Sequence, residues 1–230
     1  MLRKIGFGYM ISLVLATNSF AGFYVGAGIG PDYAQFTQKV HVFDNHGSFN
    51  VIDEQNFSGA GVFGTFFGGS SWIHNRFYLA GEANFNPSSV KYRLVNKEYI
   101  HRNFARTSFT IPYSTGVSAL PGFLLTQNAV VYGRIGYANG HVALRNSDPT
   151  IHSSIANRNG VRYGVGFRFN LVDSWTLMAD FSQTNYEKFS SHFFDPTGGV
   201  TKNARIYPVS AQFAFGLIYN FDKPKAVFVK

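Results

Sequence analysis

The stretch Gly160 to Tyr186, GVRYGVGFRFNLVDSWTLMADFSQTNY, restricts what this chain can fold into more than any other. It is two runs of alternating residues joined by Val172-Asp173-Ser174. Successive side chains of a strand point to opposite faces. Val161, Tyr163, Val165, Phe167, Phe169 and Leu171 therefore share one face, and Arg162, Gly164, Gly166, Arg168 and Asn170 the other. After the turn, Trp175, Leu177, Ala179 and Phe181 alternate with Thr176, Met178, Asp180 and Ser182. Each run is longer than the about 5 to 6 residues of an ordinary soluble strand, and near the roughly 9 to 11 that cross a bilayer at a tilt. A water-soluble sandwich buries its bulk and shows its charge to water. Here the bulky aromatic face suits lipid, and the face of glycine and ions suits a narrow lumen.

The same alternation recurs and predicts eight strands: residues 22–30, 56–69, 76–85, 107–120, 129–140, the two runs of the hairpin, and 209–221. Long polar connections follow the odd strands, at Lys39 to Gln55, Asn86 to Arg106, His141 to Asn159 and Glu187 to Tyr207, and short turns follow the even ones. That rhythm predicts an all-β fold, an eight-stranded antiparallel up-and-down transmembrane β-barrel with brief turns on one side and long loops on the other. A soluble barrel would carry polar residues outward, where this chain has Phe167, Phe169, Phe181, Phe213 and Phe215. On the fourth strand Ile111, Tyr113, Thr115, Val117 and Ala119 are expected outward. Pro112 cannot donate to a ladder, which places it at a bulge or above the bilayer.

The N-terminus predicts export. Met1-Leu2-Arg3-Lys4 is basic, Ile5 to Ala16 is largely apolar, and Ser19-Phe20-Ala21 carries small residues where a signal peptide is cut, so residues 1–21 are expected to be removed. The apolar run is shorter than the roughly 20 residues of a spanning helix. The absence of cysteine excludes a disulfide scaffold and a thiolate metal site. The formal charge is +8, two units of which come from Arg3 and Lys4. Export argues against nucleic acid as the partner of this excess. Outer-membrane lipids and lipopolysaccharide, rich in phosphate, match it better.

The segments Leu120 to Gly140, Gly160 to Tyr186 and Ala214 to Phe221, with Tyr132-Gly133-Arg134-Ile135-Gly136 inside the first, resemble the small outer-membrane β-barrel family. That family includes opacity-type proteins and the transmembrane domain of OmpA-like proteins. The resemblance covers essentially the whole of residues 22–221 and specifies fold better than activity. It implies the outer membrane of a Gram-negative bacterium, a monomer, and a terminal aromatic read by the barrel-assembly machinery. Phe221 fits that role but is followed by Asp222 to Lys230, expected to form a short periplasmic tail.

Parity places Glu82, Arg134, Arg168 and Asp180 in the lumen, in a common middle layer, with Arg162 nearer the outer mouth. Buried charges need opposite partners, so both Arg134 and Arg168 are expected to bridge Glu82 and Asp180. This layer reads as a plug fixing register, with a gate or narrow ion path as the functional alternative, since an eight-stranded interior is only wide enough for side chains. Trp72, Trp175, Phe77, Phe169, Tyr219 and Phe221 are expected to form an aromatic belt at the periplasmic interface, or less directly a sugar-stacking platform. His152-Ser153-Ser154 is the most suggestive nucleophile cluster, and His41 with His46, or His101 with His192, are the conceivable metal pairs; none has diagnostic spacing. No catalytic residue, metal or cofactor is assigned. The expected role is non-enzymatic, in envelope integrity, adhesion or contact with a host or matrix ligand through the loops. A narrow diffusion channel and a lipid-A-modifying enzyme are the alternatives.

Overall fold

The computed structural model describes residues 21–44, 47, 50–97, 104–146, 154–172, 174–195 and 199–221. The expected signal segment up to Phe20, the tail from Asp222, and His46, His101, His152 and Ser153 lie outside them. The described strands are β1 (Ala21–Asp44), β2 (Asn50–His74), β3 (Phe77–Pro87), β4 (Lys91–Lys97), β5 (Phe104–Leu124), β6 (Ala129–Asn146), β7 (Ser154–Val172), β8 (Trp175–Tyr186), β9 (Phe189–Asp195) and β10 (Val200–Asn220). They run antiparallel in the order β1-β2-β3-β5-β6-β7-β8-β10, and β10 pairs back onto β1, so eight strands close a ring. Tyr24 lies opposite Asn220 in the closing ladder, and the Phe221 amide donates to Phe23 oxygen at 3.0 Å.

In the lower part of the ring, the half carrying the short turns together with Ala21 and Phe221, the alternation is as the side chains dictate. Phe77, Leu79 and Phe85 of β3 are exposed, and Tyr78, Ala80, Glu82, Asn84 and Asn86 are buried. On β10, Phe213, Phe215, Leu217 and Tyr219 point out, and Ser210, Gln212, Ala214 and Ile218 point in. On β2, Phe57, Phe63 and Phe67 face inward and Val62 and Phe66 outward. This apolar exterior covers about the length that a tilted strand spends in hydrocarbon.

The strands do not stop there, and the polar connections are not irregular loops. β1 has 24 residues and β2 has 25, so Lys39 to Asp44 and Asn50 to Gln55 continue one hairpin. β4 and the start of β5 occupy much of Asn86 to Arg106, β6 and β7 extend into His141 to Asn159, and β9 and β10 fill most of Glu187 to Tyr207. Above the apolar band the ring divides into two sheets. β2, β1, β10 and β9 form one, and β4, β5, β6 and β7 form the other. Between them is an apolar core: Ala34, Phe36, Phe57, Phe189 and Ile206 from the first sheet meet Val90, Phe109, Ile111 and Val142 from the second. The Phe36 and Phe109 rings stack with centroids 4.9 Å apart. On the outside of the same hairpin, Lys39 pairs with Glu54 at 3.0 Å and Thr37 donates to Asn56 at 2.7 Å. The strand parity is continuous from Tyr24 to Phe36. The exterior residues change from Phe23, Val25 and Ile29 to Gln35, Thr37 and Lys39 because the medium changes from lipid to water.

Ile111 departs from its expected outward position and is buried. The cause is a register shift between Thr110 and Tyr113, around Pro112, which contributes no amide to the ladder. One extra residue reverses the facing above it, so Phe109 and Ile111 turn into the upper core while Tyr113, Val117 and Ala119 keep the lipid-side parity.

Candidate functional site: a closed, charged lumen

The inward residues of the lower ring form an ion network. Arg134 spans two carboxylates: its Nη1 donates to Glu82 Oε1 at 2.8 Å, and its Nη2 and Nε donate to Asp180 Oδ2 at 3.0 and 3.2 Å. Arg168 reaches Glu82 Oε2 through Nη2 at 2.7 Å. Its Nη1 donates not to Asp180 but to the Tyr78 hydroxyl at 2.6 Å, so only Arg134 bridges both acids, in contrast to the two-bridge arrangement expected from parity. The Tyr132 hydroxyl donates at 2.7 Å to Asp180 Oδ2, the same oxygen that accepts from Arg134.

Arg168 is enclosed by aromatic rings. Its guanidinium carbon lies 4.6 Å from the Tyr24 centroid, 5.1 Å from Tyr132 and 5.9 Å from Tyr78, the geometry of cation–π attraction. Tyr24 and Tyr132 fit because they lie over glycines. A Cβ on Gly69 would come within 2.9 Å of Tyr24 ring carbon, and one on Gly166 within 2.3 Å of the Tyr132 ring.

Arg162 stands apart from this network. It is 2% exposed, and its guanidinium donates to Thr184 Oγ1 at 3.1 Å and Ser114 Oγ at 3.3 Å. No salt bridge to it occurs among the described residues. With the Asn86 amide oxygen turned towards it, that oxygen accepts from Nη2 at 3.0 Å and Nη1 at 3.2 Å. In the same upper layer Asp32 is buried and accepts from Ser88 at 2.5 Å, Ser210 at 3.1 Å and Gln212 at 3.2 Å. Sequence reasoning missed Asp32 because it ended the first strand at Gly30, although Tyr24, Gly26, Gly28 and Gly30 share its parity. The tyrosines around Arg168 were legible as inward residues but not as its partners.

Between the two layers is a cavity of about 20 Å³, lined in part by Glu82, Asn84, Arg134, Arg162, Asp180 and Gln212. That is room for about one water, beside an Asn84 Oδ1 that has no partner among the described residues. From bottom to top the lumen is thus filled by the tyrosine and ion layer, the amide and hydroxyl layer, and the apolar core.

On the outside, the residues assigned to the belt take outward positions near the short turns. Trp175 meets Tyr219 edge-on at 5.2 Å, and Tyr219 meets Phe221 at 5.3 Å. Phe77 meets Phe123 at 5.9 Å, the latter near the end of β5, which runs past the expected limit of residue 120. Phe169 is exposed, and Trp72 is half-buried with its ring stacked on His74 at 5.6 Å. Of the conceivable metal pairs, His46 and His101 lie outside the described residues; His41 and His192 each use a ring nitrogen on an asparagine, Asn50 at 2.7 Å and Asn203 at 2.6 Å. Among the described residues no group of three or more His, Cys, Asp or Glu could hold a metal ion.

Solved structures similar to this chain are outer-membrane barrels. OprG from Pseudomonas aeruginosa aligns with a TM-score of 0.52 and 9% identity, covering 86% of this chain and 96% of its own. Neisserial surface protein A aligns with a TM-score of 0.42 and 16% identity, over 88% and 99% of the two chains. The outer membrane protease OmpT from Escherichia coli aligns with a TM-score of 0.48 and 8% identity, over 87% and 97%. No curated protein matches. The outer membrane protein beta-barrel domain matches residues 7–221, from within the expected signal segment to the last ring residue. A closed ring with an apolar outside, an ion-filled inside and that match places the chain in the outer membrane protein β-barrel family, a family of the bacterial outer membrane.

Proposed function

We propose that the protein is a non-enzymatic, monomeric surface barrel of the Gram-negative outer membrane whose extracellular half makes contacts with other surfaces, in adhesion, host or matrix contact, or envelope integrity. The observation that carries this reading is the upper two-sheet body. It is not a set of slack loops: it has its own apolar core and a polar outside, so it presents fixed side chains at low entropic cost on binding. Val51 and Ile52 are exposed near its tip, where an apolar contact would first be made.

A channel is less well supported, because the lumen space beside Glu82 and Asp180 amounts to about 20 Å³. An enzyme is less well supported as well. Of the described histidines, His41, His141 and His192 each engage an asparagine side chain rather than a serine or a carboxylate, and His74 stacks on Trp72. The same reading takes lipopolysaccharide as the surrounding lipid and the barrel-assembly machinery as the insertion partner.

The test shortens each of the upper hairpins in turn and measures binding of whole bacteria to host cells and to extracellular matrix. Heat-modifiable gel migration serves as the control for an intact ring. At least one shortened variant is expected to lose binding with the ring intact. Unchanged binding in all of them rejects the adhesive role.

A further inference from the structure

The outer wall is interrupted where β3 gives way to β4. Pro87 pairs with Tyr113 and Lys91 with Thr110, so Ser88 to Val90 on one side face only Ile111 and Pro112 on the other. The Ser88 amide donates to Pro112 oxygen at 2.8 Å and ties the two lips together. Beside this double irregularity is a groove of about 280 Å³ whose polar lining is Ser88, Ser89, Lys91, Ser108, Thr110 and His141.

Three features give the groove a chemistry. Lys91 is exposed and has no carboxylate partner among the described residues. His141 is held in place: its ring stacks on Tyr113 at 4.9 Å with planes 5° apart, and its Nδ1 pairs with Asn157 Oδ1 at 2.8 Å. That fixes the ring and leaves Nε2 without a protein partner among the described residues. The Ser108 and Thr110 hydroxyls of β5 supply donors and acceptors on the remaining wall, since the Ser88 hydroxyl donates to Asp32 and that of Ser89 to the Val62 oxygen. Height supplies the rest of the argument. Below the groove, Val117 and Tyr137 are ladder partners and Ala119 pairs with Ile135. Val117, Tyr137 and Ile135 are exposed on the lipid side, and Tyr113 stands at the upper end of this apolar run.

We propose that this groove seats the phosphorylated sugar headgroup of an outer-leaflet glycolipid. Lys91 and His141 meet the phosphate, the Ser108 and Thr110 hydroxyls meet the sugar, and the acyl chains run down over Val117, Tyr137 and Ile135. A cation and directed hydroxyls suit a phosphosugar, and a groove opening sideways at the end of an apolar wall suits a ligand already tethered in the leaflet. The inference rests on the outer-membrane placement and is independent of what the extracellular body contacts.

The experiment uses the full chain, purified in mild detergent and returned to nanodiscs. Native mass spectrometry measures retention of lipid A against the same lipid A stripped of its phosphates, with inorganic phosphate as competitor. The unaltered protein is expected to retain the phosphorylated form at least about tenfold better, as a charge-assisted contact of ordinary strength gives. Lys91→Ala with His141→Ala is expected to remove that preference, and Ser108→Trp to remove retention of both forms, with heat-modifiable migration unchanged. Equal retention of the two lipid forms by the unaltered protein overturns the proposal whatever the variants do. Displacement by low-millimolar inorganic phosphate also overturns it, since it marks a site for a free ion.

Discussion

Arg134 is the residue on which the lower lumen turns, because among the described residues it is the one cation that touches both Glu82 and Asp180. Arg134→Met leaves Asp180 with only the Tyr132 hydroxyl, and Glu82 with Arg168 and Tyr24. Removing one partner of a buried pair costs about 3 to 5 kcal/mol, because the charge left behind is uncompensated. Urea unfolding in lipid vesicles is expected to register a loss of that size, and adding Asp180→Asn is expected to recover part of it. Gly166→Val tests the aromatic enclosure separately. Its side chain collides with the Tyr132 ring, which must leave Arg168 and Asp180, so the variant is expected to unfold at lower urea although no charge has changed. At this scale the sequence was informative about direction and poor about partners. The inward parity of Glu82, Arg134, Arg168 and Asp180 follows from alternation alone. Which oxygen meets which nitrogen depends on strand stagger around the ring, which brings Tyr78 rather than Asp180 to Arg168 Nη1.

Among the elements, the long strands divide their labour by height. In the lower ring the apolar residues lie outside, and in the upper body they lie inside, so a residue such as Phe109 has the role of a soluble-protein core residue while Phe215 faces lipid. Phe109→Ala opens a cavity against Phe36 and Phe57, and loss of a core aromatic costs about 3 to 5 kcal/mol. Because the upper sheets share that core and the lower ring does not, the loss is expected to be local. External protease on whole cells is expected to cut the Phe109→Ala variant in the upper hairpins, while heat-modifiable migration of the ring is retained. The upper elements were hard to read from sequence because their outward residues are charged or polar, as in Lys39 and Glu54, and polar density reads as loop. The inward half of the alternation, Ala34, Phe36, Phe57 and Ile206, was the available signal. Pro112 was legible as an irregularity, but the reversal it imposes on Ile111 requires the partner strand β6 to be in view.

At the scale of the whole molecule, the lumen holds Glu82, Asp180 and Asp32 against Arg134, Arg168 and Arg162, so the interior is charge-balanced and filled. Reconstituted in planar bilayers, the protein is expected to give no discrete conductance. Arg134→Ala combined with Arg168→Ala is the variant in which steps are expected, since it empties the tightest layer while leaving every backbone pairing in place. Steps from the unaltered protein would contradict the closed lumen. The ladder between Tyr24 and Asn220 has a consequence for how such a molecule is made. It joins the first described strand to the last, so no earlier point in synthesis offers a finished cylinder, and every shorter chain presents two raw edges bordered by grease. Contacts this distant in sequence form slowly, and an open-edged, oily intermediate in an aqueous compartment is prone to stick to its neighbours. For a chain built this way the interval before the two ends meet is the one exposed to aggregation, and bringing them together faster is expected to raise the yield of closed ring.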